Sequence, residues 1–231
     1  MASNGYVIDA PEQASLAVAG SKERFPVRRI YCVGRNYVAH VREMGGDEDR
    51  DPPIFFQKPT DSVVESGSTI AYPTITENFH HEMEMVIALK SGGYNIAESD
   101  ALNHIWGYGA GLDMTRRDIQ GNGKPWEIAK SFDQSCPCGP LSPVEKVGHI
   151  SKGAIKLTVN GETKQESDIE LLIWRVPEII ANLSTLFELK AGDIILTGTP
   201  HGVGPVQPGD ELVGTIDGLE PLTVKIGERP A

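Results

Sequence analysis

The sequence predicts an α+β fold that is mostly β: a curled, mixed β-sheet with a few helices packed outside it. Three observations predict it. Glycine and proline are plentiful, 25 and 16 of 231 residues, and fall between short apolar runs, as in turn-rich β proteins. The stretch Phe79-His80-His81-Glu82-Met83-Glu84-Met85-Val86-Ile87-Ala88-Leu89 ends in strand formers and reads as a buried strand. The clearest long helix runs from about Val176 to Glu188, with Ile179, Ile180, Leu183, Leu186 and Phe187 on one stripe and Pro177 in its first turn.

In chain order, residues 1 to about 25 form a short N-terminal extension with a weak strand over Ser15–Ala19, and 26–231 a single catalytic domain. Arg29–Gly34 reads as a strand ending in a glycine turn, which delivers a short helix over Arg35–Met44. Gly45–Pro53 is polar and glycine-started, the composition of a mobile flap. Ile54–Phe56 is a strand ended by Lys58-Pro59, and the Phe79–Leu89 strand follows. Ser99 or Asp100 is placed to cap a short helix reaching Trp106. Gly107–Thr115 carries three alternating glycines, which let backbone or ligand approach closely, and brings Asp113 to its end. Pro125 suits the first turn of a short helix that Lys130 closes. Val159-Asn160-Gly161-Glu162 is a hairpin signal. Asp193–Pro200 is a strand running into a Gly/Thr turn, and two or three further strands close the chain.

The bulk numbers exclude several classes. A formal charge of −11 argues against nucleic acid and against an anionic membrane surface. A small anionic substrate stays compatible, since a local ion and a few basic side chains can outweigh the global field. Residues 1–13 lack a basic segment followed by an apolar core, and no stretch approaches the roughly 18 apolar residues of a membrane span, so a cytoplasmic location is expected. Cys32, Cys136 and Cys138 are an odd, sparse set without zinc or redox spacing, which suits reduced thiols.

The chemistry gathers around the Phe79–Leu89 strand. Side chains alternate there, so Glu82 and Glu84 share one face while Met83, Met85, Ile87 and Leu89 share the other. Two carboxylates beside an apolar core need a cation, shared protons or basic partners; otherwise they belong to a solvated face at a sheet edge. With Asp113 as a third oxygen donor, Mg²⁺ or Mn²⁺ fits the set better than zinc, with three open octahedral positions for water and a chelating substrate. His81 is an alternative ligand in place of one carboxylate. His40 and Glu43 share a helical face and could form a base with its orienter, or an ordinary helical ion pair. Lys130 could offset an oxyanion or be a solvated lysine, and Thr199 could bind a carboxylate or serve only the turn.

Taken together, these stretches resemble the fumarylacetoacetate hydrolase family. The resemblance is carried by Val33-Gly34-Arg35-Asn36-Tyr37, His40-Val41-Arg42-Glu43-Met44-Gly45, His81-Glu82-Met83-Glu84, Leu112-Asp113-Met114-Thr115-Arg116-Arg117-Asp118, Pro125-Trp126-Glu127, Lys130-Ser131-Phe132-Asp133 and Leu196–Gly204. It covers about residues 25 to 220 and implies a mixed β-roll, usually a homodimer, that hydrolyses a C–C bond of an acylpyruvate. It also implies that Glu82, Glu84 and Asp113 hold the metal and that His40 with Glu43 activates water on a lid. Lys130 would steady the oxyanion, with Arg35, Gln120 and Thr199 contacting substrate oxygens. Larger members carry a further acidic ligand seven positions before the His; Val33 stands there, so water completes the shell. The loop from Gln120 to Trp126 is also shorter than in the acylpyruvate branch.

The implied reaction is fumarylpyruvate plus water to fumarate plus pyruvate, in gentisate-type aromatic degradation. Acetylpyruvate or maleylpyruvate hydrolysis, oxaloacetate decarboxylation and ketoacid isomerisation draw on the same enolate chemistry. A non-catalytic module that binds a metal and a carboxylate is the rival from another class.

Overall fold

The computed structural model describes residues 5–44, 52–121 and 125–230. The backbone of the fold is a large mixed sheet. Its strands lie in the order Ile54–Lys58, Arg29–Gly34, Asp193–Leu196, Met83–Leu89, Ile105–Leu112, Cys136–Cys138 and Val63–Glu65. Asp193–Leu196 runs parallel to Arg29–Gly34 and antiparallel to Met83–Leu89, which in turn is antiparallel to Ile105–Leu112. A five-stranded sheet of Glu162–Asp168, Ala154–Val159, Glu211–Ile216, Leu222–Ile226 and Thr69–Ile70 forms a second layer. The architecture is thus mostly β, mixed and flanked by few helices, as the sequence predicts.

Met83–Leu89 is buried along its whole length because both of its faces meet a core. Met83, Met85, Ile87 and Leu89 join the larger cluster with Ile155, Leu157, Ile179 and Leu183. Val86 and Ala88 join a smaller one with Cys32, Ile194, Leu196, Leu16 and Phe25. The hairpin Ser15–Ala17/Arg24–Pro26 contributes Leu16 and Phe25 to that second core. The three thiols are free and buried, and burial pushes the Cys32 thiol well up.

Several boundaries differ from the sequence reading. The strand expected over Phe79–Leu89 is two: Phe79–His81 pairs with Thr115–Arg116 and Gly204–Pro205, and Glu82 is the hinge before Met83–Leu89 joins the large sheet. Ser99 and Asp100 do not cap: the helix is Glu98–Ala101, its N-cap is Ala97, and no side chain bonds the cap. Pro125 precedes the N-cap Trp126 of the helix Glu127–Lys130. Leu186 ends the helix Val176–Leu186 and is exposed, while Phe187 turns inward against Tyr31 with ring centroids 5.2 Å apart. The flap expected over Gly45–Pro53 lies, except for its two prolines, outside the described residues. Among the described residues, no helix is long and apolar enough to cross a membrane.

The Asn-Gly turn forms as its sequence requires. Asn160 and Gly161 both take positive φ, 52° and 81°, the geometry that matches a turn to the twist of its flanking strands.

Candidate active site

Strand pairing assembles the carboxylates. Glu84 lies opposite Gly111 in the ladder, and the Asp113 backbone N–H donates to the Glu82 carbonyl at 2.9 Å, so three residues from two strands meet. Their carboxylate oxygens lie within 4.8 Å of one another. Glu82, Glu84 and Asp113 are only 4%, 1% and 1% exposed, which rules out the solvated sheet-edge reading.

Buried negative charge at this density needs compensation. Lys130 Nζ donates to Glu82 Oε2 at 2.7 Å and to Asp113 Oδ2 at 2.6 Å. The Arg117 guanidinium pairs with Glu82. Burial would raise the Glu82 carboxyl, but Lys130 and Arg117 outweigh it and hold the group well below the usual carboxylate range. Glu84 is different. Burial, then Asp113 and Glu82, push its carboxyl well up, and its Oε2 accepts from the Gly198 N–H at 2.7 Å. Asp113 Oδ1 is buried without a hydrogen bond, although Lys58 Nζ lies 2.8 Å away in a poor orientation. An under-satisfied carboxylate oxygen and an electrostatically frustrated Glu84 within an all-oxygen set fit a hard divalent cation.

His81 is directed elsewhere: its Nδ1 faces Gln165 Oε1 at 3.1 Å, and it is not part of the carboxylate group. Gln165 has a role here that its sequence context does not disclose. It accepts from the Met83 N–H at 3.0 Å and donates to Thr199 Oγ1 and the Pro200 carbonyl, both at 2.9 Å. With its oxygen accepting from Gln165, the Thr199 hydroxyl keeps its own proton to donate into the cleft.

The cleft is lined by Arg35, His40, Glu82, Glu84, Asp113, Arg117, Gln120, Lys130 and Thr199, with Gly34, Met44, Phe56 and Trp126 supplying apolar wall. Eight of the nine residues singled out in the sequence therefore face one space. The ninth, Glu43, stands behind His40, 3.2 Å from its Nδ1, and accepts from the Gly202 N–H at 3.0 Å. With Nδ1–H donating to the Glu43 carboxylate, the ring's lone pair is on Nε2. Burial lowers the His40 pKa, so the ring is neutral at pH 7 and able to take a proton.

The solvated-lysine alternative does not hold for Lys130: it is 2% exposed and bound by two carboxylates, leaving one ammonium proton for the cleft. Gln120 accepts from Arg117, a contact that its sequence neighbours did not disclose. Residues 122–124 of the adjoining loop lie outside the described residues.

Gly198 is constrained twice. Its φ is +94°, and an added Cβ would fall 2.6 Å from the Asn36 Cβ and 3.1 Å from the Val33 carbonyl oxygen. Gly198→Ala is expected to destabilise the fold by more than about 1 kcal/mol, seen as a melting temperature lowered by roughly 2–4 °C or more. An unchanged melting temperature would contradict it.

Residues 29–227 match the family model for the fumarylacetoacetate (FAA) hydrolase C-terminal domain. The chain is 44% identical over 185 residues to a fumarylpyruvate hydrolase of a Ralstonia species, covering 78% of this chain and 96% of the relative. It is 42% identical over 207 residues to the mitochondrial oxaloacetate tautomerase FAHD1 of Homo sapiens, covering 88% and 93%. The crystal structure of fumarylpyruvate hydrolase from Pseudomonas aeruginosa in complex with Mn²⁺ and pyruvate superposes with a TM-score of 0.95 at 50% identity, covering 97% of this chain and 100% of that one.

Proposed function

The chain belongs to the fumarylacetoacetate hydrolase family and is a hydrolase acting on C–C bonds; from that premise we propose that it cleaves acylpyruvates, with fumarylpyruvate giving fumarate and pyruvate. The observation that carries this reading is the His40–Glu43 pair set in the same cleft as the three carboxylates. A decarboxylase needs no activated water, whereas a hydrolase does, and a base held against an orienting carboxylate supplies it.

In the proposed reaction His40 Nε2 removes a proton from water as its oxygen adds to the acyl carbonyl. Glu43 holds the Nδ1 proton and stabilises the imidazolium that results. The Lys130 proton left over from its two ion pairs is aimed at the oxygen that becomes negative. The bond between the acyl carbon and the pyruvyl methylene then breaks, and the imidazolium returns its proton to the methylene carbon. Glu82, Glu84 and Asp113 would hold Mg²⁺ or Mn²⁺, which when bound supplies a Lewis acid for the α-keto carboxylate end of the substrate. The support is the fit of the oxygen set and the Mn²⁺ and pyruvate in the Pseudomonas aeruginosa relative. Arg35, Gln120 and Thr199 would contact substrate oxygens, a reading supported by their position in the cleft wall, with Arg117 beside them. The proposal carries with it a homodimer and a role in gentisate-type degradation.

The test is direct. Purified protein with Mg²⁺ or Mn²⁺ should consume the ultraviolet absorption of fumarylpyruvate and form pyruvate in equal amount, faster than with acetylpyruvate. Unchanged absorption and no pyruvate would reject the reading. A second reading, oxaloacetate tautomerisation, is favoured by the 42% identity to the human enzyme of that name. It predicts rapid keto–enol conversion of oxaloacetate without pyruvate release.

A further inference from the structure

Lys58 closes the strand Ile54–Lys58 at the outer edge of the large sheet, where a lysine ordinarily reaches solvent. Here its side chain is 0% exposed. Its ammonium donates to the Lys130 carbonyl and lies 3.5 Å from the Met114 carbonyl, 2.8 Å from Asp113 Oδ1 and 5.8 Å above the Phe132 ring. It does not line the cleft. A fully buried ammonium is costly to desolvate, and none of these contacts is required to close the sheet edge. What they share is location: Asp113 and Met114 follow one strand, and Lys130 ends the helix that presents the second ammonium to Asp113.

We propose that Lys58 is a positioning residue for the metal centre, fixing the rotamer of Asp113 and the seat of Lys130 without touching substrate. This rests on the reading of Glu82, Glu84 and Asp113 as the ligands of a divalent cation. An ammonium flanks each oxygen of one carboxylate: Lys130 donates to Oδ2, and Lys58 stands 2.8 Å from Oδ1 as a charge contact without hydrogen-bond alignment. This leaves Oδ1 a lone pair for the ion while opposing rotation of the Asp113 plane. The Lys58 contact to the Lys130 carbonyl makes the two ammonium groups one unit. Partners that orient a ligand are felt at the ion, typically as a roughly 10–100-fold loss of affinity when removed.

Simple electrostatics predicts the opposite sign. Lys58 is a cation near the ion, and removing it should tighten cation binding if charge were its only contribution. The experiment is Mn²⁺ titration of metal-free protein by electron paramagnetic resonance and calorimetry. It compares wild type, Lys58→Met, Lys58→Gln, Asp113→Asn and the Lys58→Met/Asp113→Asn double variant. Met keeps the stem without the charge, and Gln keeps a donor for the Lys130 carbonyl. Positioning predicts about tenfold or weaker Mn²⁺ binding in Lys58→Met, partial recovery in Lys58→Gln, and little further loss in the double variant beyond Asp113→Asn alone. Equal or tighter binding in Lys58→Met overturns the inference. So does failure of both Lys58→Met and Lys58→Gln to fold, which would make Lys58 a residue of the scaffold. If wild type itself binds no Mn²⁺, the metal reading fails instead.

Discussion

Replacing His40 by alanine is expected to lower kcat for acylpyruvate hydrolysis by about 10²–10⁴-fold, the usual contribution of a positioned general base. The substrate's KM should change little, because the imidazole faces water rather than the pyruvyl end in the proposed reaction. Any oxaloacetate decarboxylation should survive, since losing CO₂ from a chelated β-keto acid needs no activated water. Equal loss of both activities would remove the assignment. The wild-type pH profile follows from the same ring. Burial lowers its pKa in the folded protein, so the basic form is present at neutral pH and is lost only as pH falls below the ordinary value of about 6.5. The acidic limb of kcat/KM should therefore lie below that value. The linkage sign agrees: the unfolded chain binds this proton more readily, so the group's contribution to stability declines as pH drops through the same window.

Chelation should produce the second large effect. Metal-free protein is expected to lose hydrolysis to background and to recover it on addition of Mn²⁺ or Mg²⁺. Glu84→Gln should stay inactive even at saturating metal. The fold should nevertheless persist, because Glu82 and Asp113 already have Lys130, Arg117 and Lys58 beside them, and Glu84 accepts the Gly198 N–H. An ion present at 100 times its Kd stabilises by about 2.7 kcal/mol, so the melting temperature should fall by roughly 5–10 °C. Complete unfolding on chelation, as in small zinc domains, would show that the lysines do not sustain the centre.

Local patterns were readable from the chain because their physics is local. The alternation Glu82-Met83-Glu84-Met85 separates acid from core by the pleat alone, and Asn160-Gly161 selects its turn by backbone preference. His40 and Glu43 meet because one helical turn brings them together. Lys58, Arg117 and Gln165 do not disclose their roles in the sequence, for the complementary reason. In Phe55-Phe56-Gln57-Lys58-Pro59 nothing separates a solvated terminal lysine from one whose partner lies 55 positions on. Gln165 sits in Glu162-Thr163-Lys164-Gln165-Glu166-Ser167-Asp168, a strand that reads as wholly surface-facing, and its burial follows only from where that strand packs. The break at Glu82 was likewise invisible, since it depends on two different sheets competing for one stretch of chain.

The segment from Gly198 to Gly202 touches both halves of the chemistry. At one end its N–H steadies Glu84; at the other its N–H steadies Glu43, which in turn orients His40. A single short run of backbone thus serves as a shared reference for ion and base. Whatever orders it in favour of one must, by thermodynamic reciprocity, order it for the other. Cation occupancy and the seating of the His40 helix are then two readings of one equilibrium, and hydrogen exchange at Gly202 should slow when the carboxylates at the far end of the loop are filled.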